Sequence, residues 1–188
     1  EGQCPSDAVT LCRQTRPIDQ VLLTMMKESN NLYAESMFYQ IAAASGHRPA
    51  SAKDAAETIK SLIARIGLDS SEYSIADGSG LSLYNYSTAE LQVAMLRYAY
   101  RNGDIFQHLR PSLPEAGIDG TLKSRMNSDV TRGRVFAKTG TLTGVSSLAG
   151  YAIAANGHML AFSIINQGLR RAASGRSFQD AVCRAMCR

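Results

Sequence analysis

The sequence predicts an α+β domain with helices packed on an antiparallel sheet, and three observations carry that prediction. Apolar residues recur at helical spacing through the first two thirds of the chain. Residues 135–141, 146–155 and 158–166 then read as three strands, with Asn156-Gly157 as a two-residue hairpin signal between the last two. A closing helix containing Ala181, Val182 and Ala185 follows. No repeat, low-complexity tract or interdomain linker interrupts the 188 residues, so residues 1–188 read as one unit.

Pro17 opens the first helix, with Ile18, Val21, Leu22 and Met25 as its apolar face. The pattern falters at "ESNN", and Tyr33, Met37, Ile41 and Ala44 mark a second helix closed by Gly46. Ser29-Asn30-Asn31 therefore lies at a tight junction between two helices. Ser51 with Asp54 forms a capping box for a third helix, lined by Ile59, Leu62, Ile63 and Ile66 and ended by Gly67. "YSIADGSGLS" reads as a short strand running into a glycine turn. Ser87 with Glu90 is a second capping box, opening a helix through Leu91, Met95 and Tyr98 to Gly103. Pro111, Pro114, Gly117 and Gly120 punctuate a loop-rich stretch, and Ser177 with Asp180 caps the last helix.

Twenty Lys and Arg against sixteen Asp and Glu give a net charge of +4. The basic residues are scattered, with Arg170 and Arg171 the only adjacent pair, and no aromatic stripe runs among them. Nucleic-acid binding is not indicated. No apolar run is long enough to span a membrane and no signal peptide is present. The chain starts at Glu1 without a methionine, as expected of a processed product, a cloned segment or a piece of something longer. Cys183 and Cys187 are four apart on a helix, which favours pairing with Cys4 and Cys12 over pairing with each other. Four reduced thiols or a zinc site are the alternatives.

The residues suited to chemistry centre on Lys138-Thr139-Gly140, inside a predicted strand. The lysine supplies a positive field, the threonine a hydroxyl donor, and the glycine room for an extended ligand backbone. The same residues also suit an edge strand protected from aggregation. Ser29-x-Asn31 is a weaker signal that equally suits helix capping. His47 and His158 read as turn residues, and without a G-x-S-x-G elbow a Ser/His/Asp triad is disfavoured. Asp77-Gly78-Ser79-Gly80 reads as a tight turn, lacking the spacing of a phosphate or calcium loop.

Four stretches in order, "KESNNLYAE", "DGSGLSLYN", "AGIDGTLKSRM" and "FAKTGTLTGVSSLAGY", resemble the C-terminal part of low-molecular-mass class C penicillin-binding proteins, the D-alanyl-D-alanine carboxypeptidase/endopeptidases. The resemblance implies a β-lactamase/transpeptidase-like fold. Such enzymes are known by three motifs: S-x-x-K with the nucleophile, S-x-N and K-T-G. Ser29 and Asn31 match the second; Lys138, Thr139 and Gly140 match the third. The first is missing, because the residues three before Lys27, Lys53, Lys60, Lys123 and Lys138 are Thr24, Ala50, Glu57, Gly120 and Val135. The chain is therefore expected to be the C-terminal part of a catalytic domain, lacking the N-terminal strands and the nucleophile helix, and to be inactive alone.

The resemblance implies acyl transfer on peptidoglycan peptides ending in D-Ala-D-Ala, reaction with β-lactams once the nucleophile is supplied, an exported periplasmic or envelope location, and no cofactor or metal. It assigns proton relay to Ser29, substrate-amide binding to Asn31 and the positive field to Lys138. Thr139 and Thr141 would bind the substrate carboxylate, Gly140 would leave it room and Leu142 would wall the pocket. The alternative is a non-catalytic peptide-binding module or pseudoenzyme. A sheet short of two strands also predicts self-association through its open edge.

Overall fold

The computed structural model describes residues 5–188. Five helices precede the sheet: α1 (Ile18–Lys27), α2 (Asn31–Ala44), α3 (Ala52–Arg65), α4 (Ala89–Arg101) and α5 (Gly103–Ser112). The strands are β1 (Val135–Leu142), β2 (Val145–Ile153) and β3 (Met159–Asn166), and α6 (Ala172–Met186) closes the chain. The sheet is antiparallel in the order β1-β2-β3, so both β1 and β3 are edge strands among the described residues.

The middle strand is apolar throughout "LAGYAI" because both of its faces are covered. On one face Leu148 and Ala152 join Val135, Ala137, Phe162, Cys183 and Cys187 in the core beneath α6. Leu148 is 0% exposed, and its burial stabilises the fold by about 1.5–3 kcal/mol. On the other face Tyr151 packs with Leu113, Phe136, Met26, Leu96 and Phe106. Its hydroxyl donates to the Leu96 carbonyl at 2.7 Å, tying the sheet to α4, and burial pushes its pKa up to about 12. The sheet is thus a two-sided platform, with α1, α4 and α5 on the face that carries Phe136.

The Ser51/Asp54 capping box forms as expected. The other two do not. Thr88, not Ser87, caps α4, its hydroxyl accepting from Leu91 N at 3.1 Å. Tyr86 pairs with Ser74 in an isolated bridge, which keeps the chain extended one residue further than the local pattern implies. Ser177 lies inside α6, which starts at Ala172. Gly175 sits hard against Leu169 and Ser146, so docking on β2 starts the helix early, and Asp180 instead pairs with Arg125 at 2.6 Å. The β2–β3 connection is longer than a two-residue turn: Ala154 N donates to His158 O, and Gly157 N to Ala154 O.

Among the described residues no cysteine pair is formed. Cys12 is an exposed free thiol, and Cys183 and Cys187 are buried free thiols. Burial, followed by the neighbouring Cys187, pushes the Cys183 thiol up to about 12. Both act as small apolar side chains in the core beneath α6. Cys4 lies outside the described residues.

Candidate active site

Ser29 is set by the way α1 ends. Asn30 N reaches back to Met25 O at 3.2 Å, the six-to-one bond of a Schellman turn. That turn places Ser29 in the left-handed region at φ 55°, a position glycine usually fills. Asn30 then caps α2, its side-chain oxygen accepting from Tyr33 N at 3.2 Å. The "ESNN" break is therefore a one-residue pivot between two helices, with the Ser29 side chain exposed on its outside.

Lys138 meets this pivot from the sheet. Its Nζ donates to Ser29 Oγ at 2.7 Å across a sequence separation of 109 residues, and to its neighbour's carbonyl, Thr139 O, at 2.7 Å. Burial holds the ammonium below the usual lysine range. No carboxylate lies within 4 Å of it among the described residues, so its charge is open to an anionic ligand.

The free edge of β1 is half used. Ala137 N donates to Pro114 O, and Val135 O accepts from Ala116 N, both at 2.9 Å. Backbone groups alternate sides along a strand, so Thr139 and Thr141 present theirs to the same edge. Among the described residues their amides have no partner. The edge beyond Ala137 is thus an open docking strand beside Lys138. A cleft of about 410 Å³ runs from Lys138 and Gly140 onto an apolar floor that includes Met26, Ile63, Leu91 and Met95.

A loop joins the two halves. Lys27 Nζ, two residues before Ser29, donates to both oxygens of Asp119 at 2.8 and 2.6 Å. Asp119 also accepts from Glu115 N at 2.9 Å. Two residues on, Thr121 Oγ1 accepts from Thr139 Oγ1 at 2.9 Å.

The structure therefore brings Ser29, Lys138 and Thr139 together. Asn31 starts α2 beside them, exposed and without a side-chain hydrogen bond among the described residues. Thr141 is exposed on the docking edge, and Leu142 is half-buried at the strand end opposite Val145. Gly140 has a reason the sequence did not suggest: a Cβ there would collide with Ser147 Oγ on the neighbouring strand. Thr121, Lys27 and Asp119 were not sequence candidates; their only signal was that Asp119 and Thr121 fall in the "AGIDGTLKSRM" stretch and Lys27 opens "KESNNLYAE".

The fold and the helix-pivot/strand pairing define a β-lactamase/transpeptidase-like protein. Its likeness to an extended-spectrum β-lactamase, TLA-1, at TM-score 0.68 and 16% identity, covering 89% of this chain and 62% of that one, is a likeness of fold alone. The chain belongs to the D-Ala-D-Ala carboxypeptidase 3 (S13) family, whose sequence model matches residues 2–186. It is 37% identical over 150 residues to the D-alanyl-D-alanine carboxypeptidase DacB of Haemophilus influenzae, covering 79% of this chain and 31% of that protein. The crystal structure of penicillin binding protein 4 (dacB) from Haemophilus influenzae matches at TM-score 0.83 and 32% identity, over 92% of this chain and 40% of that one. A structure of it complexed with a β-lactam matches at TM-score 0.78 and 34% identity, over 88% and 40%. The chain spans about a third of the length of such curated relatives.

Proposed function

We propose that this chain is the substrate-binding part of a serine-type D-Ala-D-Ala carboxypeptidase/endopeptidase domain that acts by acyl transfer on peptidoglycan stem peptides in the cell envelope. The observation that carries this reading is the Lys138–Ser29 contact at the open half of β1. The nucleophilic serine and its lysine come from an S-x-x-K segment outside these residues, and the apolar cleft beneath Lys138 receives the helix that bears them.

The extended peptide lies along the edge at Thr139 and Thr141, its terminal carboxylate facing Lys138 and the threonine hydroxyls. The external serine attacks the carbonyl of the D-Ala-D-Ala amide; a C–O bond forms as the C–N bond breaks. Lys138 donates to Ser29 Oγ, which leaves the Ser29 proton free for the departing amine. Ser29 recovers a proton from the nucleophile through the S-x-x-K lysine. Asn31 holds the substrate amide, and the Thr141 N–H stabilises the oxyanion. Water then hydrolyses the ester. Gly140 keeps the edge flat, and Leu142 walls its far end. A β-lactam enters by the same ring-carbonyl attack.

The test is D-alanine release from an N-acylated peptide ending in D-Ala-D-Ala. The full-length protein releases D-alanine, and Lys138→Met reduces that release sharply. Release unaffected by Lys138→Met rejects the role given to the lysine. No release and no β-lactam adduct favours the second reading, a peptide-binding pseudoenzyme, whose supporting observation is the missing S-x-x-K.

A further inference from the structure

We propose that Thr121 is a positioning residue for carboxylate recognition, acting through the hydroxyl of Thr139. The proposal rests on the function proposed above and names a residue that this reading does not use.

Proton count limits what Thr139 can offer an anion. A threonine hydroxyl has one proton and two lone pairs, whereas a carboxylate only accepts. Thr139 Oγ1 gives its single proton to Thr121 Oγ1 at 2.9 Å. In that state Thr139 has nothing to offer an anionic ligand. When a carboxylate arrives on the docking edge, Thr139 must turn its proton outward. Thr121, whose own proton is free to rotate, then donates to the Thr139 oxygen. The pair inverts direction, and the two hydroxyls stand in series toward the anion. Each bond polarises the next, so Thr139 is a better donor with Thr121 behind it than alone.

The loop is built to hold Thr121 in place. Asp119 is fixed by Lys27 at 2.6 and 2.8 Å and by Glu115 N at 2.9 Å. The intervening Gly120 has φ 54°, and a Cβ on it would stand 2.8 Å from Lys27 O and 3.1 Å from Pro114. Only glycine lets the loop press this closely on the end of α1 while delivering the next residue to β1. The clamp therefore sets the Thr121 hydroxyl from the same helix end that presents Ser29. Thr121 itself is exposed, so its burial contributes nothing that would explain this anchoring.

A primary amide in place of the carboxylate gives a sharp contrast. Its N–H group can donate to Thr139 in the existing arrangement, with no inversion. Dependence on Thr121 should follow the ligand's charge and donor pattern rather than its size.

The experiment compares two N-acylated peptides in the full-length protein, one ending in a free D-Ala carboxylate and one in the corresponding primary amide. Thr121→Val is expected to raise KM for the carboxylate peptide about five- to tenfold with kcat little changed, the loss expected of one hydrogen bond. It leaves the amide peptide's KM unchanged. Thr121→Ser, which keeps the hydroxyl, restores the wild-type KM. In a Thr139→Val background the Thr121→Val change has no further effect. Equal losses on both peptides, no loss on either, or additive losses with Thr139→Val overturn the proposal. Failure of the proposed function is separately visible: wild-type protein that turns over neither peptide rejects both, whereas an active enzyme insensitive to Thr121→Val rejects only this one.

Discussion

Replacing Ser29 by glycine and by alanine separates the backbone role of this residue from its chemistry. Both changes remove the hydroxyl and its 2.7 Å bond from Lys138 Nζ. Because both groups are reachable by water, that bond contributes about 1 kcal/mol to the fold. The backbone term differs between the variants. At φ 55° a side-chain-bearing residue carries about 1–2 kcal/mol of steric strain. Alanine retains that strain. Glycine relieves it but loses about 0.4–1 kcal/mol through its freer unfolded chain. The difference leaves glycine more stable than alanine by about 1 kcal/mol, against the usual helix-region order, while glycine itself lands near wild type. The gap is read as a higher Tm for the glycine variant than for the alanine variant. The assays are thermal unfolding and D-alanine release, both on the full-length protein. Release falls in both variants by about 10²–10⁴, the worth of a general acid–base group. An alanine variant at least as stable as the glycine variant contradicts the left-handed pivot. A glycine variant that keeps full activity contradicts the proton relay.

Two further outcomes follow from the sheet. Gly140→Ala directs its Cβ at the Ser147 hydroxyl, which rotates away about χ1 while Ser147 Cβ stands 3.8 Å off, so the melting temperature is expected to change little while turnover of the carboxylate peptide falls. Unchanged turnover shows that the substrate does not need this space, and a large loss of stability places a rigid neighbour there. For Lys138, burial puts the folded pKa below the ordinary 10.5, so unfolding takes up a proton between the two values. The penalty of the buried charge is full below the folded pKa, and stability rises with pH across that window. In the same window the site loses its cation, so KM for the carboxylate peptide climbs before pH 10.5 while that for the amide peptide does not. Parallel pH profiles for the two peptides refute the assignment.

The helices and strands were legible where local pattern and tertiary demand agree. The Ser51/Asp54 box satisfies its own helix end, and the apolar residues on either side of Lys138 suit a strand whatever surrounds it. The pattern misled where contacts distant in sequence decide. Asp180 looks like half of a cap, yet Arg125 claims it; Ser87 looks like a cap, yet the Ser74–Tyr86 bridge moves the helix start to Thr88. The cysteines suggested a staple because spacing cannot reveal that Cys183 and Cys187 point into the core beneath α6. In the site, Lys138 and Ser29 were readable through their motifs. Thr121 was not, because its meaning is a single contact with Thr139 created by a loop clamped to α1.

On the proposed function, residues 1–188 hold the Ser29–Lys138 half of an acyl-transfer site and the nucleophile lies outside them. The decisive measurement is the site of the adduct formed by a labelled β-lactam. The full-length protein is expected to carry one adduct, on the serine of an S-x-x-K segment outside residues 1–188, and to lose it in that serine's alanine variant. An adduct on Ser29, or on any other serine of this chain, would contradict it.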